Sequence, residues 1–211
     1  KKVLYSEEQL AKRVKEMAEE ISKDYAGKDL LVVGILKGSV LFTSDLIKNI
    51  SIPCEIDFMA VSSYGNSSQT SGVVRILKDL DSDIENKHVL IVEDIVDTGT
   101  TLSYLLEYLK ARKAASIEIV ALLDKEARRT SNVSAKYKGF DVPDEFIVGY
   151  GIDYAEKYRN LPFIGALKEE IYNKSLSILD INLDDYDKLI TIYKEIGNKT
   201  STDWKNLAKK I

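Results

Sequence analysis

The chain is poor in the residues that thiol and soft-metal chemistry need: one cysteine, Cys54, and one histidine, His88, in 211 residues. A single cysteine excludes an internal disulfide and makes a reducing compartment the default. Cys54 lies in a strand-like run, Pro53-Cys54-Glu55-Ile56-Asp57-Phe58, the setting of a buried inert thiol rather than a nucleophile. One histidine and one distant cysteine build neither a zinc site nor a Ser-His-Asp triad. No apolar run approaches the ~20 residues of a membrane span, and the first residues read as a folded helix, not a signal peptide. A soluble, cytoplasmic protein without a membrane partner is the expectation. An excess of positive charge is also missing: 30 Lys and Arg stand against 34 Asp and Glu, a net charge of −4. Nucleic acid is therefore not an expected partner, since its binders usually show a basic face. Internal repeats and low-complexity stretches are absent. With 45% apolar and 30% charged residues, the chain fits one domain with room for an appendage.

The pattern that is present alternates strands with helices. Ser6-Glu7-Glu8-Gln9 forms a capping box, after which Leu10, Val14, Met17, Ala18 and Ile21 share one helical face. Gly27 closes that helix. Leu30 to Ile35 is a continuous apolar run of the buried parallel-strand type, and Leu36-Lys37-Gly38-Ser39 turns it into a helix over about 39–49. Further strands are expected at 54–62, 73–79, 88–93 and 117–123, a helix at 100–111, and a short strand at 146–150. Strand–helix alternation predicts βαβ units and a mostly parallel sheet with helices on both faces. Ligands of such sheets bind beyond the carboxyl ends of the strands.

The densest chemistry lies at residues 89–102. Val89-Leu90-Ile91-Val92 ends in Glu93 and Asp94; two apolar residues, Asp97 and the small turn Thr98-Gly99-Thr100-Thr101 then open a helix. A helix start offers free N–H groups to an anion. Threonine hydroxyls add donors, and the acids can hold hydroxyls or a hard metal ion. The turn lacks the Gly-Lys-Ser/Thr of a P-loop, which disfavours NTP hydrolysis.

This stretch resembles the 5-phosphoribosyl 1-pyrophosphate (PRPP) signature of the type I phosphoribosyltransferases. Four further segments narrow the resemblance, over about residues 3–167, to the hypoxanthine/guanine members: Leu36-Lys37-Gly38, Ser63-Tyr64-Gly65, Leu122 to Arg129, and Pro143 to Tyr154 continuing to Tyr158-Arg159-Asn160-Leu161-Pro162. It implies an α/β fold, a twisted, mostly parallel sheet flanked by helices, with a small hood. The implied activity joins hypoxanthine or guanine, through N9, to C1 of PRPP, giving IMP or GMP and pyrophosphate with Mg²⁺ as cofactor. Family members are homodimers or homotetramers, which extends to this chain.

Residue by residue, the resemblance implies that Leu36, Lys37 and Gly38 bind pyrophosphate through backbone N–H groups, with a cis peptide before Lys37. Ser63 and Tyr64 begin a polar lid loop that excludes water from the reacting centre. Glu93 and Asp94 attend the ribose hydroxyls and Mg²⁺. Residues Asp97, Thr98, Gly99, Thr100 and Thr101 cradle the 5′-phosphate, and Asp97 stands by the purine N7 as general base or electrostatic partner. Lys125 donates to the 6-oxo group and rejects adenine, whose amine offers no acceptor there. Arg129 matches the pyrophosphate end better than Arg128, which lies one position off. Phe146 stacks on the purine, the backbone of Ile147 reads the base edge, Asp153 holds Mg²⁺ beside the base, and Arg159 meets pyrophosphate oxygens. Two alternatives stay open: a xanthine-preferring enzyme, and a non-catalytic regulator on the same fold that binds PRPP or a nucleotide.

The chain departs from the pattern at Lys168. Residues 168–211 are expected to form a largely helical extension, with Tyr186, Leu189, Ile190, Tyr193 and Ile196 on one stripe. Eight acids and eight lysines there exclude an electrostatic tail. Its role is not legible.

Overall fold

The computed structural model describes residues 2–63 and 74–168. The elements, in chain order, are β1 (Lys2–Tyr5), α1 (Glu7–Asp24), β2 (Leu30–Leu36), α2 (Val40–Asn49), β3 (Glu55–Ser63), β4 (Val74–Lys78), β5 (His88–Val96), α3 (Thr100–Lys110), β6 (Ser116–Asp124), a 3-10 turn (Glu126–Arg128), β7 (Tyr137–Asp141), β8 (Ile147–Val148) and β9 (Ile164–Ala166). The chain divides into two compact units, residues 11–144 and residues 1–10 with 145–211.

The larger unit carries a six-stranded sheet in the order β4-β3-β2-β5-β6-β7. The β3-β2-β5-β6-β7 neighbours are parallel, and β4 closes one edge antiparallel to β3. From β2 the chain passes through α2 to the neighbour on one side; from β5 it passes through α3 to the neighbour on the other. Right-handed crossovers in opposite directions put α2 and α3 on opposite faces. They also make the gap between β2 and β5 the topological switch point, where open α/β sheets bind ligands.

The apolar runs explain both faces. Leu31, Val33 and Ile35 of β2, Val89 and Ile91 of β5, and Ile119 and Ala121 of β6 form one cluster with Leu102, Leu105 and Leu109 of α3. The alternate residues Val32, Leu90, Val92, Val120 and Leu122 are fully buried as well. A strand buried on both faces reads as a continuous apolar run, as these do.

The smaller unit holds a three-stranded sheet, β1-β9-β8, with antiparallel neighbours. The capping box forms here as expected: Gln9 N–H donates to Ser6 Oγ at 3.2 Å and Ser6 N–H to Gln9 Oε1 at 2.9 Å. Leu10 is buried in this unit, and Val14, Met17, Ala18 and Ile21, further along α1, are buried in the larger one.

Three differences from the sequence reading have physical causes. The strand expected to stop at Glu93 runs on to Val96, because β6 continues to pair with it: Glu93 faces Ala121, Ile95 faces Leu123 and Val96 faces Asp124. Strand 146–150 shrinks to Ile147–Val148, since Gly149, Tyr150 and Gly151 take positive φ and turn the backbone. Strands β1, β7 and β9 are too short to show a period, and only their partners define them. The helical extension falls on residues 169–211, outside the described residues.

Candidate active site

Within the larger unit, the expected residues of residues 36–38, 93–101 and 125 gather at the carboxyl ends of β2, β5 and β6. Parallel pairing of β2 with β5, Gly34 opposite Val92, brings the turn after β2 to the acids of β5. The Leu36–Lys37 peptide is cis, as the resemblance implies. Lys37 is exposed. A Cβ added to Gly38 would lie 1.8 Å from Asp94 Oδ2, so a larger residue would have to displace that carboxylate or the turn. Ser39 ties the turn to the strand, its N–H and Oγ both donating to Ile35 O.

The two acids sit differently. Asp94 Oδ1 accepts the Ile95 N–H at 2.7 Å, while Glu93 is buried. Burial, and then the charge of Asp94, push the Glu93 carboxyl well above the usual carboxylate range. Among the described residues no three acidic, histidine or cysteine side chains converge as a preformed metal site. Oxygen donors alone are what a hard cation takes, and Mg²⁺ commonly uses one or two carboxylates together with substrate phosphates. The residues present therefore fit that ion.

Past Val96 the chain forms a tight turn. Gly99 has φ +80° and precedes the first residue of α3 with no side-chain cap, leaving first-turn N–H groups open to an anion. Thr98 and Thr100 exchange a hydroxyl contact at 3.2 Å. Asp97 Oδ1 lies 3.3 Å from Arg128 Nε, yet it is buried and accepts no aligned hydrogen bond. We take the contact as an electrostatic pairing that leaves an acceptor lone pair.

Lys125 follows β6 directly and is buried to 7% exposure. Its backbone N–H donates to Val96 O at 2.9 Å, which sets it beside the start of the turn at 97–101. Its Nζ lies 3.9 Å from Asp144 Oδ1, and the same Oδ1 lies 3.7 Å from Arg128 Nη1. The two arginines have different partners. Arg129 is turned inward onto Asp124 and backbone carbonyls; Arg128 is half-exposed and faces Asp97.

Ser63 ends β3 opposite Val74 of β4; Tyr64 and the rest of the expected lid lie outside the described residues.

The smaller unit carries the rest. Ile147 is buried in β8, which among the described residues is an edge strand paired with β9. Phe146 is 38% exposed, and Tyr154 braces it edge-on, with ring centroids 5.1 Å apart at 89°. Beyond β8 the backbone folds into small bridges, Gly149 with Ile152 and Tyr154 with Lys157. The structure brings Asp153 and Arg159 together at 3.1 Å. Arg159 Nη1 also donates to Gly151 O at 2.8 Å, and its Nε is buried without a hydrogen-bond partner among the described residues.

Asp124, Ser131 and Asp144 were missed as site-supporting residues. Their partners lie across the fold or beyond a turn, and no local spacing marks them.

Acids and a Gly/Thr turn at the switch point of such a sheet have counterparts in one class of protein, the phosphoribosyltransferases, as the chain's relatives show. A family model described as "Phosphoribosyl transferase domain" matches residues 2–155. A hypoxanthine-guanine phosphoribosyltransferase of Staphylococcus aureus is 56% identical over 173 residues, 82% of this chain and 97% of that protein. One of Streptococcus thermophilus is 53% identical over 174 residues, with coverage of 82% and 97%. A crystal structure of a hypoxanthine phosphoribosyltransferase from S. aureus superposes with a TM-score of 0.79 at 56% identity, covering 82% of this chain and 94% of that one. The chain belongs to the hypoxanthine-guanine phosphoribosyltransferase family of the phosphoribosyltransferases.

Proposed function

We propose that the protein transfers the 5-phosphoribosyl group of PRPP to N9 of hypoxanthine or guanine, releasing pyrophosphate and forming IMP or GMP. The observation that carries this reading is the junction of β5 and β6. A buried lysine, the cation a 6-oxo group needs, follows one strand, and its backbone is bonded to the residue before Asp97 and the phosphate turn on the other.

In the reaction the C1–oxygen bond to pyrophosphate breaks ahead of formation of the N9–C1 bond, so positive charge builds on C1 and negative charge on the leaving group. The protein's work is then positioning and electrostatics. The turn at Thr98–Thr101 holds the 5′-phosphate on N–H groups and hydroxyls. Gly38 and its neighbours offer backbone N–H groups to the pyrophosphate, with Lys37 nearby. Asp97, whose buried Oδ1 faces Arg128 and accepts no aligned hydrogen bond among the described residues, accepts or stabilises the purine N7 proton. Lys125 donates to the 6-oxo oxygen. In the smaller unit, Phe146 supplies an aromatic face, the edge of β8 at Ile147 supplies backbone groups, and Arg159 supplies charge for pyrophosphate. Glu93 and Asp94 in the larger unit, and Asp153 in the smaller, would supply oxygen ligands to Mg²⁺, and the ion, when bound, would supply positive charge for the pyrophosphate. A homodimer or homotetramer in the cytoplasm completes the proposal, with residues 1–167 as the transferase domain and 168–211 as an extension.

The test mixes purified protein, Mg²⁺ and PRPP with hypoxanthine, guanine, xanthine or adenine, and follows nucleotide formation by absorbance. Nucleotide from hypoxanthine or guanine, none from adenine, and loss of turnover with EDTA are expected. Product from xanthine alone shifts the substrate; PRPP binding without product from any base overturns the transferase reading.

A further inference from the structure

The segment after Lys125 does more than carry a base-reading lysine. Arg129 uses four of its five N–H donors inside the protein. Nε donates to Asp97 O at 3.0 Å, Nη1 to Val133 O at 2.5 Å, Nη2 to Val96 O at 3.4 Å, and Nη2 also pairs with the Asp124 carboxylate. The Arg129 side chain is 14% exposed and that of Asp124 10%. The next two residues continue the pattern: Thr130 N–H, Ser131 N–H and Ser131 Oγ–H all donate to Thr98 O, at 3.1, 3.3 and 3.0 Å. The carbonyls of three consecutive residues, Val96, Asp97 and Thr98, are thus held by one facing segment. A Cβ on Gly99 would fall 2.3 Å from Ser131 Oγ and 3.2 Å from Arg129 Cδ, so the two segments are packed without slack.

A carbonyl dipole turned toward a bound phosphate repels it, and an N–H dipole attracts it. Drawing these carbonyls toward the 129–131 segment leaves the N–H groups that follow for the anion. A planar guanidinium presents its donors in a rigid fork that a lysine ammonium cannot reproduce. We propose that Arg129 is a positioning residue of the 5′-phosphate turn, seconded by Ser131, and not a ligand of pyrophosphate. This rests on the proposed function, because it takes the turn to be the 5′-phosphate site.

IMP, which carries the 5′-phosphate but no pyrophosphate, separates the two roles. Wild-type protein, Arg129→Ala, Arg129→Lys and Ser131→Ala are compared by calorimetric titration with IMP and by the KM for inorganic pyrophosphate in the reverse reaction. Arg129→Ala is expected to weaken IMP about tenfold or more, the effect of losing hydrogen bonds to a charged group, with little change in pyrophosphate KM. Arg129→Lys should fail to restore IMP affinity, and Ser131→Ala should weaken IMP about threefold, as one neutral hydrogen bond does. A raised pyrophosphate KM with unchanged IMP affinity makes Arg129 a pyrophosphate ligand and overturns the proposal. Should Arg129→Ala not fold, Ser131→Ala decides alone, and unaltered IMP binding there overturns it. Wild-type protein that neither binds IMP nor forms it defeats the proposed function, a different outcome from any of these.

Discussion

The backbone of Gly38 presses against the carboxylate of Asp94, so closely that a methyl group on Gly38 would lie 1.8 Å from Oδ2. That contact joins the turn after β2 to the acids of β5 across the switch point. Gly38→Ala must displace Asp94 or the turn, an overpacking cost of about 1–3 kcal/mol. Carried by the site, this lowers kcat/KM for PRPP by about five- to 150-fold. Steady-state kinetics with PRPP varied check it; an unchanged constant would show that the two segments do not act on PRPP together.

Asp97→Asn keeps the shape of the side chain and removes the charge that faces Arg128. The reaction is expected to slow by about 10²- to 10⁴-fold, the range for a positioned base, with PRPP binding nearly intact. Single-turnover rates beside PRPP titrations measure both halves. Wild-type rates in this variant remove Asp97 from the chemistry.

Lys125 is buried, so its replacement by alanine takes away a donor that water does not readily replace. Loss of a charged hydrogen bond, about 1.5–3 kcal/mol, corresponds to roughly ten- to 150-fold in kcat/KM for hypoxanthine. Adenine should be affected far less, so the ratio between the two bases narrows. A parallel fall for both would mean that Lys125 serves the fold and not the base.

Gly139 of β7 has no room for a side chain: a Cβ would meet Leu122 O of β6 at 2.3 Å. The neighbour is backbone inside a parallel sheet and cannot rotate away. Gly139→Ala should cost about 1–3 kcal/mol, lowering Tm by roughly 2–4 °C per kcal/mol in a chain of this size. Thermal unfolding followed by circular dichroism reads it directly, and an unshifted Tm would refute the close packing of these strands.

Asp57 gives the acid limb of stability a defined contributor. Burial opposes its charge, but N–H groups of Asp81 and Phe58 and the Lys78 ammonium outweigh burial and hold the carboxyl below the usual range. A group depressed in the fold is more protonated in the unfolded chain, so its contribution is complete above its unfolded pKa of about 3.9 and is lost as pH falls through the folded value. Asp57→Asn should therefore destabilise the protein at pH 7 and flatten the fall in stability below pH ~4. Urea titrations across pH 2 to 7 would test this; equal acid slopes for both proteins would exclude the contribution.

Much of the site was legible from local sequence. The capping box at Ser6 and Gln9, the acids after a buried run and Gly99 before a helix are all set by side-chain chemistry within a few residues. Apolar residues at helical spacing likewise mark α1, and continuous apolar runs mark the central strands. What the tertiary structure decided concerns partners distant in sequence. Strand β5 runs past its acids because β6 pairs with it. Arg129 turns inward because the Asp124 carboxylate and the carbonyls of Val96 and Asp97 wait at the ends of two neighbouring strands, while Arg128, one residue earlier, faces Asp97. Adjacent arginines are alike to any local rule. Only the positions of acceptors brought together by sheet order distinguish the one that holds the turn from the one that faces the acid.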